Sequence, residues 1–170
     1  MNNLLDQLKG GDRRSIGQAD VVVRVLKKDP SRFQEIFHGF KSQNPVVRMR
    51  AADVVEKVTR HEYGLLKGYE REIIDDISTI GQQEVCWHIA LLLPRLSVGK
   101  TDQEKIIDVL KHYLEHESKI VVVNAMQALA DLATMDGLLK KKAVRLIALK
   151  MVDGSPAIKA RGKKLLKTLG

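Results

Sequence analysis

An internal repeat of 36–38 residues restricts the fold of this chain more than any other feature of its sequence. In residues 45–58, apolar side chains recur at the spacing that covers one face of a helix. The same spacing returns after steps of 38, 36 and 37 residues. The four sets are Val47, Ala51, Val54, Val55, Val58; Val85, Ile89, Leu92, Leu93, Leu96; Val121, Ala125, Ala128, Leu129, Leu132; and Ile158, Gly162, Leu165, Leu166, Leu169. An earlier set, displaced by 32 residues, is Ser15, Ala19, Val22, Val23 and Leu26, and it fits except at Ser15.

The periodicity predicts helices along the whole chain and no strand, because no stretch alternates with period two. The predicted helices lie near 14–28, 31–41, 45–60, 65–79, 82–97, 102–116, 119–134, 137–152 and 156–169. Gly, Pro and turn residues separate them. Each of the last four sets lies on a helix that follows another helix, so the repeating unit is a helical hairpin. Four of the five sets have Ala or Gly at their second position, which predicts close approach of neighbouring helices.

The repeat resembles HEAT repeats. Residues 44–58, NPVVRMRAADVVEKV, resemble the second helix of a HEAT unit, where Asn-Pro, a Val-Arg pair and a later Ala recur. Residues 154–169, GSPAIKARGKKLLKTL, are a looser copy. The resemblance implies one all-α domain over residues 1–170, a right-handed α-solenoid of about five HEAT-like hairpins. It also implies a concave surface, lined by the second helix of each hairpin, that binds another macromolecule.

Residues 112–116 read H-x-x-E-H, the pattern of the inverted zinc peptidases. His112, Glu115 and His116 lie off the apolar stripe of their predicted helix, and no Glu follows Glu117 to complete such a site. Those peptidases are also α/β proteins. We therefore expect a surface helix, no metal, no cofactor, no catalytic residue and no enzymatic activity.

Cys86 lies beside an apolar set, which predicts a packed thiol.

The charge of the chain is unevenly distributed. Residues 1–61 carry 12 Lys and Arg against 7 Asp and Glu, residues 62–117 carry 6 against 11, and residues 118–170 carry 11 against 3. Lys159, Lys163 and Lys167 form one stripe of the last predicted helix, with Lys164 beside it. This cluster is either the solvated end of the repeat array or a surface for an anionic partner.

A second candidate site comes from the repeat register. The position three residues after the first member of each set is polar, as Arg50, His88, Asn124 and Arg161. One donor-bearing side chain per repeat predicts a row along the concave face that contacts a ligand. The alternative is that this position merely faces solvent.

Together these patterns favour a non-catalytic scaffold that binds a protein partner, which could be acidic. One alternative is weak, non-specific nucleic-acid binding by the basic ends, since HEAT-like repeats also occur in DNA alkylation-repair glycosylases. Another is an accessory subunit of an enzyme, resembling the HEAT-like bilin lyase subunits. The N-terminus does not resemble a secretory signal, and the longest apolar run, 89–93, is too short to span a membrane. We therefore expect a cytoplasmic protein with no membrane partner.

Overall fold

A computed structural model describes residues 3–170 of the protein. Within that range the chain forms ten α-helices joined by loops and 3₁₀ turns, and no strand. This confirms the predicted all-α class. The helices are α1 (Leu4–Gln7), α2 (Ala19–Lys28), α3 (Phe33–Phe37), α4 (Pro45–Thr59), α5 (Glu70–Asp75), α6 (Gln83–Leu92), α7 (Lys100–Leu114), α8 (Lys119–Met135), α9 (Lys140–Val152) and α10 (Pro156–Leu169).

Capping residues fix the start of the best-predicted helices. Asn44 accepts a hydrogen bond from the Val46 amide at 2.9 Å, and Pro45 takes the first helical position of α4. At α10, the Ser155 hydroxyl accepts from the Ile158 amide at 3.5 Å, and Pro156 is the first helical residue. Proline suits this position because the first helical N–H has no intrahelical acceptor.

Four predicted helices are shorter or more broken than expected. The helix predicted at 31–41 is α-helical only over Phe33–Phe37, between the 3₁₀ turns Pro30–Arg32 and His38–Lys41. The helix predicted at 14–28 begins at Ala19, because Gly17 has a φ of +53° in the left-handed region that ends regular helix. The helix predicted at 65–79 is interrupted by Gly68, with a φ of +91°, and only Glu70–Asp75 is α-helical. The helix predicted at 82–97 becomes a 3₁₀ turn at Leu93–Arg95, where Pro94 lacks an N–H.

The helices pack as two groups. The inner helices, α2, α4, α6, α8 and α10, contact one another in chain order. The outer helices are α3, α5, α7 and α9; of these, α3 packs on α4, α7 on α8, and α9 on both α8 and α10. Every member of the five apolar sets is buried, apart from the exposed Ser15 and the half-buried Leu166. The burial predicted for these sets is therefore confirmed.

Small residues allow the close approach that the register predicts. A Cβ built on Gly39 would lie 2.5 Å from the Cβ of Ala51, the second member of the α4 set. A Cβ on Gly162 would lie 3.0 Å from Cε of Met126 on α8. Neither site has room for a methyl group without movement of a neighbour.

In the described residues no helix is both long enough and apolar enough to cross a membrane.

Candidate functional site

Arg50 of α4 is only 2% exposed, and its guanidinium group is bound by the loop that precedes α2. It donates to five backbone carbonyl oxygens at 2.7–3.3 Å, those of Leu8, Lys9, Gly10, Asp12 and Ser15. Gly17 lies against the same group, because a Cβ there would be 2.7 Å from Cζ of Arg50. The prediction that Arg50 faces a ligand on the concave surface is wrong, because the side chain is buried and each of its three nitrogens donates to backbone carbonyls inside the protein.

The other members of the predicted row also face the preceding repeat. Nε2 of His88 lies 4.0 Å from a carboxylate oxygen of Asp53 on α4. The side chain of Asn124 donates to the carbonyl oxygen of Trp87 at 2.9 Å, and Arg161 donates to Gln127. All three side chains are half-buried. These three side chains therefore link consecutive repeats, and their contact with a ligand stays a prediction.

An ionic network joins α2 and α4, and His88 of α6 lies beside it. Lys57 donates to Asp53 and to Asp20, each at 2.8 Å. Burial of His88 lowers its pKa, and this effect outweighs the nearby carboxylates of Asp53 and Glu56, which act in the opposite direction. Nδ1 of His88 has no hydrogen-bond partner in the described residues. His88 is therefore held in a site that favours the neutral imidazole.

Glu56 is the buried centre of a second set of ion pairs. Arg60 donates to it at 2.6 Å and Arg95 of the next repeat at 2.5 Å. Burial alone would raise the pKa of Glu56, but the hydrogen bonds from Arg60 and Arg95 outweigh burial and lower it. Arg95 also donates to the Thr59 hydroxyl at 3.0 Å. These charges are satisfied internally, so they hold α4 against α6 and do not form an open binding site.

Apolar side chains recur at one position of successive inner helices. The position just before each member of the row is Met49, Trp87, Val123 or Ala160. Met49 is buried, Trp87 and Val123 are half-buried, and Ala160 is exposed. Three neighbouring apolar residues extend this row on the same faces of α6, α8 and α10. We call the six residues the apolar strip: Trp87, Leu91, Ile120, Val123, Ala157 and Ala160.

Two features delimit the apolar strip. The indole Nε1 of Trp87 donates to the hydroxyl of Ser118 at 3.1 Å, which orients the ring towards the start of α8. At the other side, Arg13 of the loop before α2 reaches α6, with its guanidinium 3.4 Å from Glu84. This loop is thus fixed to α4 by Arg50 and to α6 by Arg13. The strip is open on the last three inner helices.

The basic residues predicted as a binding cluster divide into two groups on α10. Lys159, Lys163 and Lys167 are exposed. The equivalent positions are buried on the preceding inner helices: Val122, Met126 and Ala130 on α8, and Cys86, Ala90 and Pro94 on α6. These three lysines therefore occupy the end face of the stack, where a further repeat would pack. Lys164 corresponds to Gln127 and Leu91 instead, and it lies beside the apolar strip.

The H-x-x-E-H segment does not form one helical face. Helix α7 ends at Leu114, so Glu115 and His116 lie beyond it. His112 and Glu115 are exposed, and Nδ1 of His116 accepts a hydrogen bond from the Ser118 amide at 2.9 Å.

The Cys86 thiol is buried and donates to the Ile80 carbonyl at 3.2 Å, and burial raises its pKa. The packed thiol predicted from the sequence is confirmed.

Comparison of the chain with models of protein families, with curated proteins and with solved structures finds no match. The likeness to HEAT repeats therefore rests on the residue pattern. The apolar strip was not predicted as a site, although the sequence carries its signal: apolar side chains two residues after the first member of the later sets. Trp87 and Val123 also pack against the core with part of their surface.

Proposed function

We propose that the protein is a non-catalytic interaction scaffold, a right-handed α-solenoid of about five HEAT-like hairpins that binds a protein partner along its inner helices. The contact of the inner helices in chain order supports a stacked arrangement. A single hairpin cannot bury both its faces, so stacking supplies the core and leaves one side of each inner helix open. The handedness follows from the HEAT resemblance.

The apolar strip is the observation that carries this proposal. Isolated exposed apolar residues are ordinary, but a row of them on successive elements is typical of an interaction surface. Trp87, Val123 and Ala160 occupy equivalent positions on α6, α8 and α10, and Ile120 beside them is 52% exposed. A nucleic-acid backbone offers no apolar group to bury against these side chains. The strip therefore favours a polypeptide.

The spacing of the helices indicates what kind of polypeptide fits. Packed helices lie about 8–10 Å apart, and an extended chain advances about 3.3 Å per residue. An extended segment that crosses the inner helices would thus meet a new helix about every third residue. Its apolar side chains would contact Trp87, Val123 and Ala160 in turn. Lys164, at the α10 end, would pair with an acidic residue of the segment.

Substitutions in the strip test this proposal. The tagged protein, Val123→Glu, Ala160→Glu and the control Gln34→Glu on the exposed side of α3 would be used as baits in extract of the native cells, with and without nuclease. We expect one protein to be retained by the unsubstituted protein and the control regardless of nuclease. Both strip variants should lose it, because each places a charge among apolar contacts.

The fluorescence of the single tryptophan tests the same site independently. Adding the retained protein should change the emission of Trp87 in the unsubstituted protein, since the indole lies in the strip. The proposal would be contradicted if Val123→Glu still retained the partner protein, or if nuclease abolished its retention. A retained partner that proves to be an enzyme would make the chain an accessory subunit.

The second candidate function is binding of nucleic acid at the end of the stack. Lys159, Lys163 and Lys167 favour it, because they are exposed and form no ion pair with any described residue. The same lysines would also serve as the polar end that a repeat array needs for solubility. Salt dependence and charge reversal distinguish the two roles.

A further inference from the structure

Exposed apolar side chains are concentrated between the end of α8 and the end of α9. In residues 3–170, four of the seven large exposed hydrophobic side chains lie between positions 135 and 152, namely Met135, Leu138, Leu149 and Val152. Leu138 is 83% exposed, Leu149 57% and Val152 76%. The outer helices α3, α5 and α7 expose no such residue. Helix α9 and the turn before it are thus unlike the other outer elements.

These residues alternate with cations along one face. Leu138, Lys142, Arg145, Leu149 and Val152 follow the spacing of a single helical stripe, which we call the α9 stripe. It lies away from Ala143 and Ile147, the buried residues of α9. All five members are exposed to solvent.

The cations of the α9 stripe also differ from those on the neighbouring outer helix. Lys105 of α7 is 2.9 Å from Asp75, and Lys111 is 2.7 Å from Asp108. Lys142 and Arg145 form no ion pair with any described residue. The hydrogen bond from Lys111 and, to a smaller extent, the charge of Lys142 lower the pKa of the Asp108 carboxyl, but Lys142 has no direct partner there. Lys142 and Arg145 are therefore available to an acidic partner, whereas Lys105 and Lys111 of α7 are already paired.

We infer that the α9 stripe is a docking surface for an acidic amphipathic helix of a protein partner, separate from the inner-helix face. The stripe covers 15 residues, from 138 to 152, or about 21 Å for 14 steps of 1.5 Å, which is about four turns of a partner helix. Its ends are apolar and its centre is cationic. The complementary helix carries apolar residues near both ends of one face and Asp or Glu in between.

The order of side chains favours this occupant over two others. A nucleic acid would pair with Lys142 and Arg145 but would leave Leu149 and Val152 in contact with charged phosphates. A membrane surface would bury an apolar face only if the cations lay at its margins. Here the cations lie between the apolar residues, so inserting Leu138 and Val152 together would draw Lys142 and Arg145 into the acyl region.

A pair of synthetic peptides tests the inference. The first is a fluorescein-labelled helix of about four turns with Leu near both ends of one face and Glu at its centre. The second has the same composition, with Glu at the ends and Leu at the centre. Fluorescence anisotropy should show that the first peptide binds the full chain at least about ten-fold more tightly. Equal binding of both peptides, or no binding of the first, would overturn the inference.

Matched variants locate the contact. Leu149→Ser with Val152→Ser, and separately Lys142→Glu with Arg145→Glu, should each weaken binding by about ten-fold or more. Lys159→Glu with Lys163→Glu on α10 makes the same change in net charge and should alter binding less than about three-fold. An equal loss in the α10 variant would reduce the effect to general electrostatic attraction. A different result would identify a membrane surface: the protein cosediments with phosphatidylserine vesicles, Leu149→Ser with Val152→Ser abolishes this cosedimentation, and the first peptide fails to bind. That result would refute the docking helix.

Discussion

Arg50 organises a segment that has no regular structure of its own. A guanidinium group has five N–H donors in a planar fork, and here five backbone carbonyls accept from it. Glycines with positive φ at positions 10, 11 and 17 allow the loop to curl around the group. The buried charge is thus stabilised by oriented carbonyl dipoles, without a carboxylate partner.

Replacing Arg50 should release this loop. We expect Arg50→Met to lower the free energy of unfolding by about 3 kcal/mol, because it leaves several carbonyl groups without donors. Tryptic cleavage after Arg13 and Arg14 should accelerate at the same time. Urea unfolding and timed proteolysis measure the two effects. Arg24→Met, at an exposed position of α2, is the control and should change stability by less than about 0.5 kcal/mol.

His88 should make stability depend on pH. Burial lowers its pKa in the folded protein below the value of 6.5 for the unfolded chain. The unfolded state therefore binds more protons as pH falls below about 6.5, and its population rises. The stabilisation is complete above pH 6.5 and is lost progressively on acidification towards the lower folded pKa. His88→Gln should remove this component, so its unfolding free energy should fall less than that of the unsubstituted protein between pH 7.5 and pH 5. Identical slopes for the two proteins would contradict this account.

At the scale of elements, the contact between Gly39 and Ala51 shows how tightly the second hairpin is packed. Gly39 lies in the 3₁₀ turn His38–Lys41, against α4. Its hydrogen points at the Ala51 methyl group, and a Cβ there would also lie 2.9 Å from Leu5 Cδ2. Since φ of Gly39 is not positive, space rather than backbone strain restricts this position.

The substitution Gly39→Ala should therefore destabilise the protein by about 1–3 kcal/mol through overpacking. Chemical denaturation measures the change. Gly81→Ala is the matched control, because a Cβ on Gly81 meets nothing within 4 Å, and it should be neutral or slightly stabilising. Adding Ala51→Gly to Gly39→Ala should restore part of the loss, as expected for two residues in contact. A neutral Gly39→Ala would mean that the hairpin is looser than its geometry indicates.

The inner helices could be predicted from the sequence because their stripes are long and their starts are marked, as at Pro45 and Pro156. The outer elements were less predictable. Helix α5 is short, and a single left-handed glycine, Gly68, sets its start. The start of the inner helix α2 was also missed, because it follows Gly17, whose positive φ accompanies close contact with Arg50 from more than thirty residues away in the chain.

The candidate site could be predicted only in part, for a related reason. The row that contains His88 and Asn124 was found from its spacing, but spacing alone does not show which neighbour a polar position faces. That depends on how one hairpin stacks on the next, and the structure turns these side chains towards the preceding repeat. The apolar strip at Trp87 and Val123 was missed because half-exposed apolar residues resemble core residues in a sequence.

At the scale of the whole molecule, charge separates the two ends of the stack from its middle. Residues 62–117 carry 6 Lys and Arg against 11 Asp and Glu, while residues 118–170 carry 11 against 3. A duplex lying along the entire stack would meet repulsion at its centre. We therefore expect the two basic ends to contact a polyanion separately, each through few phosphates.

We accordingly expect only weak, sequence-independent nucleic-acid binding, with a Kd of about 10⁻⁴–10⁻⁶ M at physiological salt. Each neutralised phosphate releases condensed counterions, so three lysines on the end face predict a slope of log K against log salt of about −3 for duplex DNA. Reversing Lys159, Lys163 and Lys167 to Glu should abolish this binding in a filter assay. Reversing Arg14, Lys27 and Lys28 makes the same change in net charge at exposed positions of the other end, and it should weaken binding far less. Sub-nanomolar, sequence-selective binding would contradict the separation of the two ends, because such affinity requires many more phosphate contacts than either end provides.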